Sequence, residues 1–381
     1  MGEIMKRLCI YVTYDFENII DDYIGYMLQE IRNKIDYLVV ICNCQYIDKG
    51  IENIEQYADK MYYRDNLGFD AGAYKDALCK YIGWNEICMY DEVLLINDSF
   101  YGPIYPIENL FYSIANENID YWGITRSPSG KLGNGYQYES HIQSYFMGFR
   151  KQVMQDSVFQ EFWEKMIYPN TLDQAIASFE IGCNKLLLER GFRGTTLMDI
   201  CQFKIPLMES DNPYIRFSLE LIRDIKVPVF KRKSLILYNS GFGNALEALR
   251  YINTHSNYDI GLIWHHLMRI NRMVNTPEFI NYIKLEEFYN SHSKIYIYGA
   301  GMYGRNVAKY FDYKEWTFEG FLVTNTKGQT IDCKSVLDVD IAHEDGIIIA
   351  IGNKNVFMDI LKVLEKFCSK KQIYNTDYDW K

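Results

Sequence analysis

Two short stretches carry residue types suited to chemistry. Glu92-Val93-Leu94-Leu95-Ile96 reads as a short buried strand, and an amide, a carboxylate and a hydroxyl (Asn97, Asp98, Ser99) follow it at once, ahead of an aromatic pair and a Gly-Pro turn. Earlier, "RDNLGFDAGAYKDAL" (64–78) sets Asn66, Gly68, Asp70 and Gly72 just before a helical pattern that carries Lys75. In an open parallel sheet, ligands bind beyond the carboxyl ends of the strands, so both stretches belong to one edge. The glycines permit close backbone approach, and a helix N-terminus favours an anion such as a diphosphate. A carboxylate beside that anion is repulsive unless a divalent cation lies between them. Mg²⁺ or Mn²⁺ held by Asp98 resolves the conflict. The same residues also suit a plain capped helix with no ligand at all.

A third stretch, Gly299-Ala300-Gly301-Met302-Tyr303-Gly304, fits GxGxxG between a predicted strand and a predicted helix. A dinucleotide site also wants an acid roughly 20 residues on, at the end of the second strand. That strand ends Val323-Thr324-Asn325, and Glu319 enters it rather than leaving it. Three readings stay open for Gly299, Gly301 and Gly304: a structural module, a nucleotide or nucleotide-sugar site, and a true NAD site.

The elements that must position these residues alternate in type. "RLCIYVTYD" and "YLVVICN" read as strands around a helix from about Asn18 to Arg32, and "KMYYRDN" as a third strand or its approach. "EVLLIND" and "YWGITRS" continue the set, and "HIQSYFMGFR" reads as an edge or returning strand. This β-α-β rhythm implies a mostly parallel sheet with helices on its faces. From Ser157 to Arg190 the pattern is helical, broken at Tyr168-Pro169-Asn170, and it is helical again from Asn244 to Tyr289. "SKIYIYGAGMYGRNVAKYF" then restarts a β-α pattern. The expected division is 1–240, a helical extension 241–290, and a small Rossmann-like domain 291–381.

At 381 residues, 48% hydrophobic and 24% charged, the chain is long enough for two cored domains and is not expected to be disordered. A net charge of −10 without a basic stripe argues against nucleic acid as partner. The densest cationic run is Lys231-Arg232-Lys233, with the reach either of a solvated loop or of a contact to anionic headgroups or a lipid diphosphate. No stretch approaches a membrane span and no signal peptide is evident, so a cytoplasmic protein is expected, with peripheral contact to the inner membrane face as an option. The nine cysteines show neither a CxxC pair nor a zinc spacing. The 33 tyrosines suit sugar-binding clefts, with compositional drift alongside abundant Asn and Ile as the plainer explanation.

"RDNLGFDAGAYKDAL", "YDEVLLINDSFYGP", "YWGITRS", "HIQSYFMGFRKQV" and "EFWEKM" occur in this order, and as a set they resemble the rhamnan synthesis protein F family. That resemblance implies a GT-A-like glycosyltransferase of cell-surface polysaccharide assembly, with a nucleotide-sugar donor and a saccharide or lipid-linked saccharide acceptor. It aligns Asn66-Leu67-Gly68 with the Asn-x-Gly segment of such enzymes and Asn97-Asp98-Ser99 with their DxD metal motif, with one acid in place of two. "SFEIGCNKLLLERGF" (178–192) is similar to the GT-A pattern in which an acid opens a helix, which makes Glu180 the expected catalytic carboxylate and Asp173 its substitute. Asp98 is expected to hold metal or donor, and His141 and Gln143, on one face of a strand with Ser144 opposite, to bind donor or acceptor. Arg64, Lys75 and Arg126 are the candidate phosphate cations. The tail resembles the small N-terminal domain of bacterial sugar O-acyltransferases. Two other readings stay open: a sugar-nucleotide oxidoreductase or epimerase built on the Gly-rich loop, and a non-catalytic assembly scaffold.

Overall fold

The computed structural model describes residues 5–375 apart from 116, 132–136, 199–216, 237–244, 275–281, 302–303, 306, 309–310, 313–314, 330 and 352–353. The chain forms two compact units, Met1–Ser234 with Tyr251–Asp259, and Leu235–Arg250 with Ile260–Lys381.

The first unit is built on a sheet of eight strands: β1 (Arg7–Thr13), β2 (Tyr37–Cys42), β3 (Lys60–Tyr63), β4 (Glu92–Asn97), β6 (Tyr121–Ser127), β7 (His141–Ile142), β8 (Phe146–Arg150) and β9 (Gly194–Met198). A two-residue β5 (Phe100–Tyr101) lies off it, paired with β10 (Phe230–Lys231). The order is β9-β6-β8-β4-β1-β2-β3, with β7 on β6. Pairing is parallel from β4 through β3 and between β9 and β6, while β8 runs antiparallel to both its neighbours. This is the mostly parallel sheet flanked by helices that the sequence leads one to expect. The "HIQSYFMGFR" segment takes the returning option: β8 is a central strand, buried over its whole length.

The continuous apolar runs explain the strands, since β1, β2 and β4 are covered on both faces and need no polar alternation. Each fully buried Leu, Ile or Val in them contributes roughly 1.5–3 kcal/mol. The β6–β8 approach requires Gly148, because a Cβ there would fall on the indole of Trp122. That indole donates at 2.7 Å to the fully buried Glu92, whose carboxylate is held further by Arg7 at 2.6 Å and Arg150 at 3.3 Å. The amino end of β4 is thereby closed, and the carboxyl ends of β4, β1 and β2 lie side by side by register.

Helix α1 (Asp22–Arg32) buries Tyr23, Ile24, Met27, Leu28 and Ile31, the one-face spacing of an amphipathic helix. Helix α2 begins at Phe69 and widens into π geometry over Ala77–Ile82; α3 spans Ser157–Lys165. Helix α4 runs from Leu172 to Glu189, with π geometry over Ile176–Ile181. Such widened turns recur at functional sites.

The second unit carries an all-parallel five-stranded sheet: β11 (Ile295–Tyr298), β12 (Phe321–Val323), β13 (Cys333–Ser335), β14 (Gly346–Ile349) and β15 (Ile373–Asn375), in the order β13-β12-β11-β14-β15. Reversal of strand order beside the first strand is the doubly wound arrangement. Helix α5 (Lys354–Leu364) packs Phe357, Ile360 and Leu364 on it.

Candidate active site

At the carboxyl edge of the first sheet lies a cleft of about 330 Å³, lined among others by Asp70, Asn97, Ser99, His141, Glu180 and Lys231. The two segments singled out by sequence meet there. Asn97 Nδ2 donates to Asp70 Oδ2 at 2.7 Å, and Asn97 Oδ1 accepts from the Ser99 amide at 3.1 Å and hydroxyl at 2.6 Å. Asp70 Oδ1 accepts from the Ala71 amide at 2.9 Å. Burial pushes the Asp70 carboxyl above its usual range, and the negative charges of Glu180 and Asp98 add to that push against the bond from Asn97.

Asp98 is turned elsewhere. Its Oδ2 accepts from the Thr13 hydroxyl at 2.9 Å and the Tyr14 amide at 3.0 Å, and its Oδ1 faces Arg232 Nη1 at 3.4 Å. Arg232 Nη1 also donates to the Asp98 carbonyl at 3.0 Å and the Tyr23 hydroxyl at 2.9 Å. Burial raises the Asp98 carboxyl; Arg232, Tyr14 and Thr13 work against that rise. Asp98 thus ties β1 and β4 to Arg232 beneath the cleft.

The 64–78 segment differs from its expected use in three ways. Gly68, at φ +79°, and Gly72 make room for protein rather than for an anion: a Cβ on Gly68 would sit 3.0 Å from the Tyr168 ring, and one on Gly72 would fall on the Leu67 carbonyl oxygen. Lys75 does not reach the cleft. Its buried ammonium donates to the carbonyls of Trp163 (2.8 Å), Glu164 (2.6 Å) and Met166 (2.8 Å), capping the C-terminus of α3, where a cation is favoured. Arg64 is buried too, with Nε on Asp76 at 2.8 Å, Nη1 on Asn43 at 2.5 Å and Nη2 on the Leu67 carbonyl at 2.6 Å. It shapes the loop rather than binding phosphate. Asn66 Oδ1 is buried and makes no hydrogen bond among the described residues. Arg126 is half-buried, opposite Ile142 in the β6–β7 pair.

Glu180 lines the cleft, but not as the opening residue of its helix. Thr171 is the N-cap of α4, its hydroxyl accepting from the Gln174 amide at 3.2 Å, and Asp173 occupies the first turn. Glu180 lies farther along, in the π segment. Its Oε1 faces His141 Nε2 at 3.0 Å, and its Oε2 accepts from the Ser144 amide at 2.8 Å and the Ser144 hydroxyl. His141 Nδ1 meets the Glu139 carbonyl at 2.9 Å. Both ring nitrogens therefore face acceptors, which calls for the doubly protonated imidazolium. Burial opposes the charge on each partner, but the bonds prevail: the Glu180 carboxyl is held below its ordinary value and the His141 imidazole above its own. Gln143, also in the lining, accepts at Oε1 from the Thr125 hydroxyl at 2.9 Å.

Lys231 and Lys233 complete the lining, although their run in the sequence carries no motif that marks a cleft. Pairing of Lys231 with Phe100 brings them there, and the Arg232 amide donates to the Ser99 carbonyl at 3.1 Å. The Lys231 ammonium lies 3.3 Å from the centre of the Tyr145 ring. Burial pulls it down to about 7. The one signal available beforehand was the charge density of the run, which composition alone cannot distinguish from a solvated loop.

In the second unit, Gly299 (φ +111°) fits against the Ala350 carbonyl at 2.8 Å from a would-be Cβ, Gly304 sits on the Gly299 carbonyl, and no described residue comes within 4 Å of a Cβ at Gly301. Met302 and Tyr303 lie outside the described residues. At the end of β12, Thr324 Oγ1 is 2.5 Å from the Tyr298 hydroxyl, where a dinucleotide site would place its acid.

Among known proteins, residues 38–376 match the family described as rhamnan synthesis protein F. "Uncharacterized protein y4gN" of Sinorhizobium fredii is 25% identical over 166 residues, 43% of this chain and 42% of its own length. "Virulence protein VirA" of Vibrio anguillarum is 24% identical over 218 residues, 56% of this chain and 66% of its own length. The chain spans less than two thirds of either relative. Among solved structures, S. aureus TarS 1-349 is similar over 75% of this chain and 78% of its own, at 11% identity and a TM-score of 0.30.

Proposed function

The chain belongs to the rhamnan synthesis protein F family, and from that premise we propose that it is a glycosyltransferase, moving a sugar from a nucleoside-diphosphate sugar to a saccharide or lipid-linked saccharide of a growing cell-surface polysaccharide. The observation that carries this reading is the convergence of Asp70, Glu180 and Lys231 on one cleft at the carboxyl edge of the sheet.

Sugar transfer passes through an oxocarbenium-like state, while the acceptor hydroxyl loses a proton and the diphosphate leaves with growing charge. Each demand finds a residue. Glu180, fixed as an anion by His141 and Ser144, supplies negative charge beside the cationic ring. Asp70 is the better proton acceptor, because burial raises its affinity for a proton, whereas the bonds to Glu180 lower that of Glu180. Asn97 orients Asp70. His141 and Gln143 border the space for donor or acceptor hydroxyls. A rhamnose donor is the family's own suggestion.

Mg²⁺ or Mn²⁺ at Asp98 does not fit the donor set. Both carboxylate oxygens face protein donors, and an ion there would stand beside the Arg232 guanidinium. No step is assigned to a metal. No helix of the described residues is long and apolar enough to cross a membrane. We place the activity in the cytoplasm, at the inner face where lipid-linked acceptors are presented.

The test is release of nucleoside diphosphate from a panel of nucleotide sugars offered with saccharide and lipid-linked acceptors. Turnover by the wild type that Asp70→Asn abolishes, with the melting temperature retained, supports the reading. A panel giving no turnover overturns it, and an Asp70→Asn protein as active as the wild type takes the proton-acceptor role away from Asp70.

A further inference from the structure

The carboxylate at the expected metal position is turned away from the cleft, and the cleft lining includes two lysines that no motif assigns. We propose that Lys231 and Lys233 neutralise the diphosphate of the donor in this protein, in place of a divalent cation at Asp98, so that donor binding does not require metal. This rests on the glycosyltransferase reading and concerns which charges hold the leaving group.

Three observations converge on it. First, a nucleoside diphosphate brings at least two negative charges into a cleft that already contains Asp70 and Glu180, so positive charge must be supplied. Second, the residue at the expected metal position is engaged: Thr13, Tyr14 and Arg232 surround the Asp98 carboxylate. Third, the lysines are placed for the task. The Lys231 ammonium makes no hydrogen bond or ion pair with a described residue; it lies over the π face of Tyr145 at 3.3 Å, with Glu180 and Asp70 acting on it only at longer range. A half-buried ammonium without a paired anion is unfavourable on its own, and an arriving phosphate relieves that cost. Lys233 is exposed at the same lining, able to follow the second phosphate.

The arrangement is also rigid where it has to be. Lys231 is anchored by backbone pairing to Phe100, one residue after Ser99, and Arg232 clamps the same turn from below through the carbonyls of Ser99 and Asp98. The run alternates its side chains, with the two lysines toward ligand and the arginine between them toward protein. Asp98 therefore keeps a purpose: it fixes Arg232, and through it the register that delivers Lys231.

Calorimetric titration of the full chain with dTDP, UDP, GDP and CDP, in excess EDTA and again in Mn²⁺, tests this. At least one nucleotide should bind in EDTA, within about threefold of its affinity in Mn²⁺, and inorganic pyrophosphate should compete. Lys231→Met, which keeps the stem over Tyr145, should weaken that binding by about 30-fold, and Lys231→Arg should restore most of it. Binding that appears only with Mn²⁺, or that is untouched by Lys231→Met in a protein of unchanged melting temperature, would overturn the proposal while leaving the glycosyltransferase reading intact. If none of the four binds under either condition, the donor site itself is wrong and both readings fall.

Discussion

The two units present the same local design, a parallel strand delivering a loop at the carboxyl edge of a sheet, and use it differently. In the first, the edge gathers charge: Asp70, Glu180 and Lys231 share one cleft, each with a buried partner that fixes its position. In the second, the Gly-rich loop gathers backbone. Gly299 and Gly304 are required by contacts with carbonyl oxygens, and the end of β12 closes on a Tyr298–Thr324 contact. In the motif that looks more like a ligand site in sequence, Gly299 and Gly304 meet backbone carbonyls, while no described residue stands within 4 Å of a Cβ built at Gly301. What separates the regions is whether polar side chains converge from distant parts of the chain, and a local pattern does not record that.

The sharpest way to break this contrast is kinetic. Asp70→Asn should lower kcat by about 10²–10⁴-fold with nucleoside diphosphate binding retained, the loss expected of a proton acceptor, whereas Gly301→Ala should leave kcat unchanged. Equal losses in the two would mean that the second unit takes part in chemistry.

A smaller but still large effect belongs to stability. Lys75→Met removes three charge-assisted bonds to the end of α3 and should cost roughly 3 kcal/mol in denaturant unfolding of the first unit. If Lys75→Met were neutral for folding but weakened donor binding, the lysine would belong to the cleft after all.

Within the second unit, Gly304→Ala forces a Cβ onto the Gly299 carbonyl and should destabilise by about 1–3 kcal/mol. Gly301→Ala, with no described residue within 4 Å of the new Cβ, should stay within about 0.5 kcal/mol. A paired melting measurement separates them, and the opposite order would refute the packing account of the loop.

The smallest effect is a pH window. The His141 imidazole lies above its ordinary 6.5 in the folded protein, so its contribution is full below 6.5 and fades as pH rises through the folded value. The Glu180 carboxyl lies below its ordinary 4.5, so its contribution is full above 4.5 and fades as pH falls through the folded value. The melting-temperature difference between wild type and Glu180→Gln should therefore be widest between 4.5 and 6.5 and shrink on both sides. A difference that is flat with pH would show that the pair is not ionic.

Much of the frame was legible beforehand, because buried parallel strands write themselves as continuous apolar runs. "EVLLIND" could only end at a sheet edge, and Asn97, Asp98 and Ser99 are there. The helix around Glu180 was read in its type but not in its start: Thr171 is its N-cap, and Glu180, which the resemblance placed at a helix opening, lies farther along in the π segment. The direction of Asp98 was not legible, since both a metal and an arginine are acceptable neighbours of a carboxylate. Lys75 was misplaced for a related reason. A cation near a helix start suits an anion, but the carbonyls of Trp163, Glu164 and Met166 were closer, from a helix nearly ninety residues away in the chain.

By itself, then, the sequence determined the alternation of strands and helices, the edge where polar residues cluster, and the restart of a second parallel sheet, because each follows from the burial of near neighbours. Only the tertiary structure decided which charges face the cleft and which face one another. Lys231 enters the lining of the cleft shared by Asp70 and Glu180 through a strand pairing with Phe100, and Asp98 turns away because it pairs with Arg232, 134 positions later. Charge pairing acts through space over a few ångströms, and distance along the chain does not predict it.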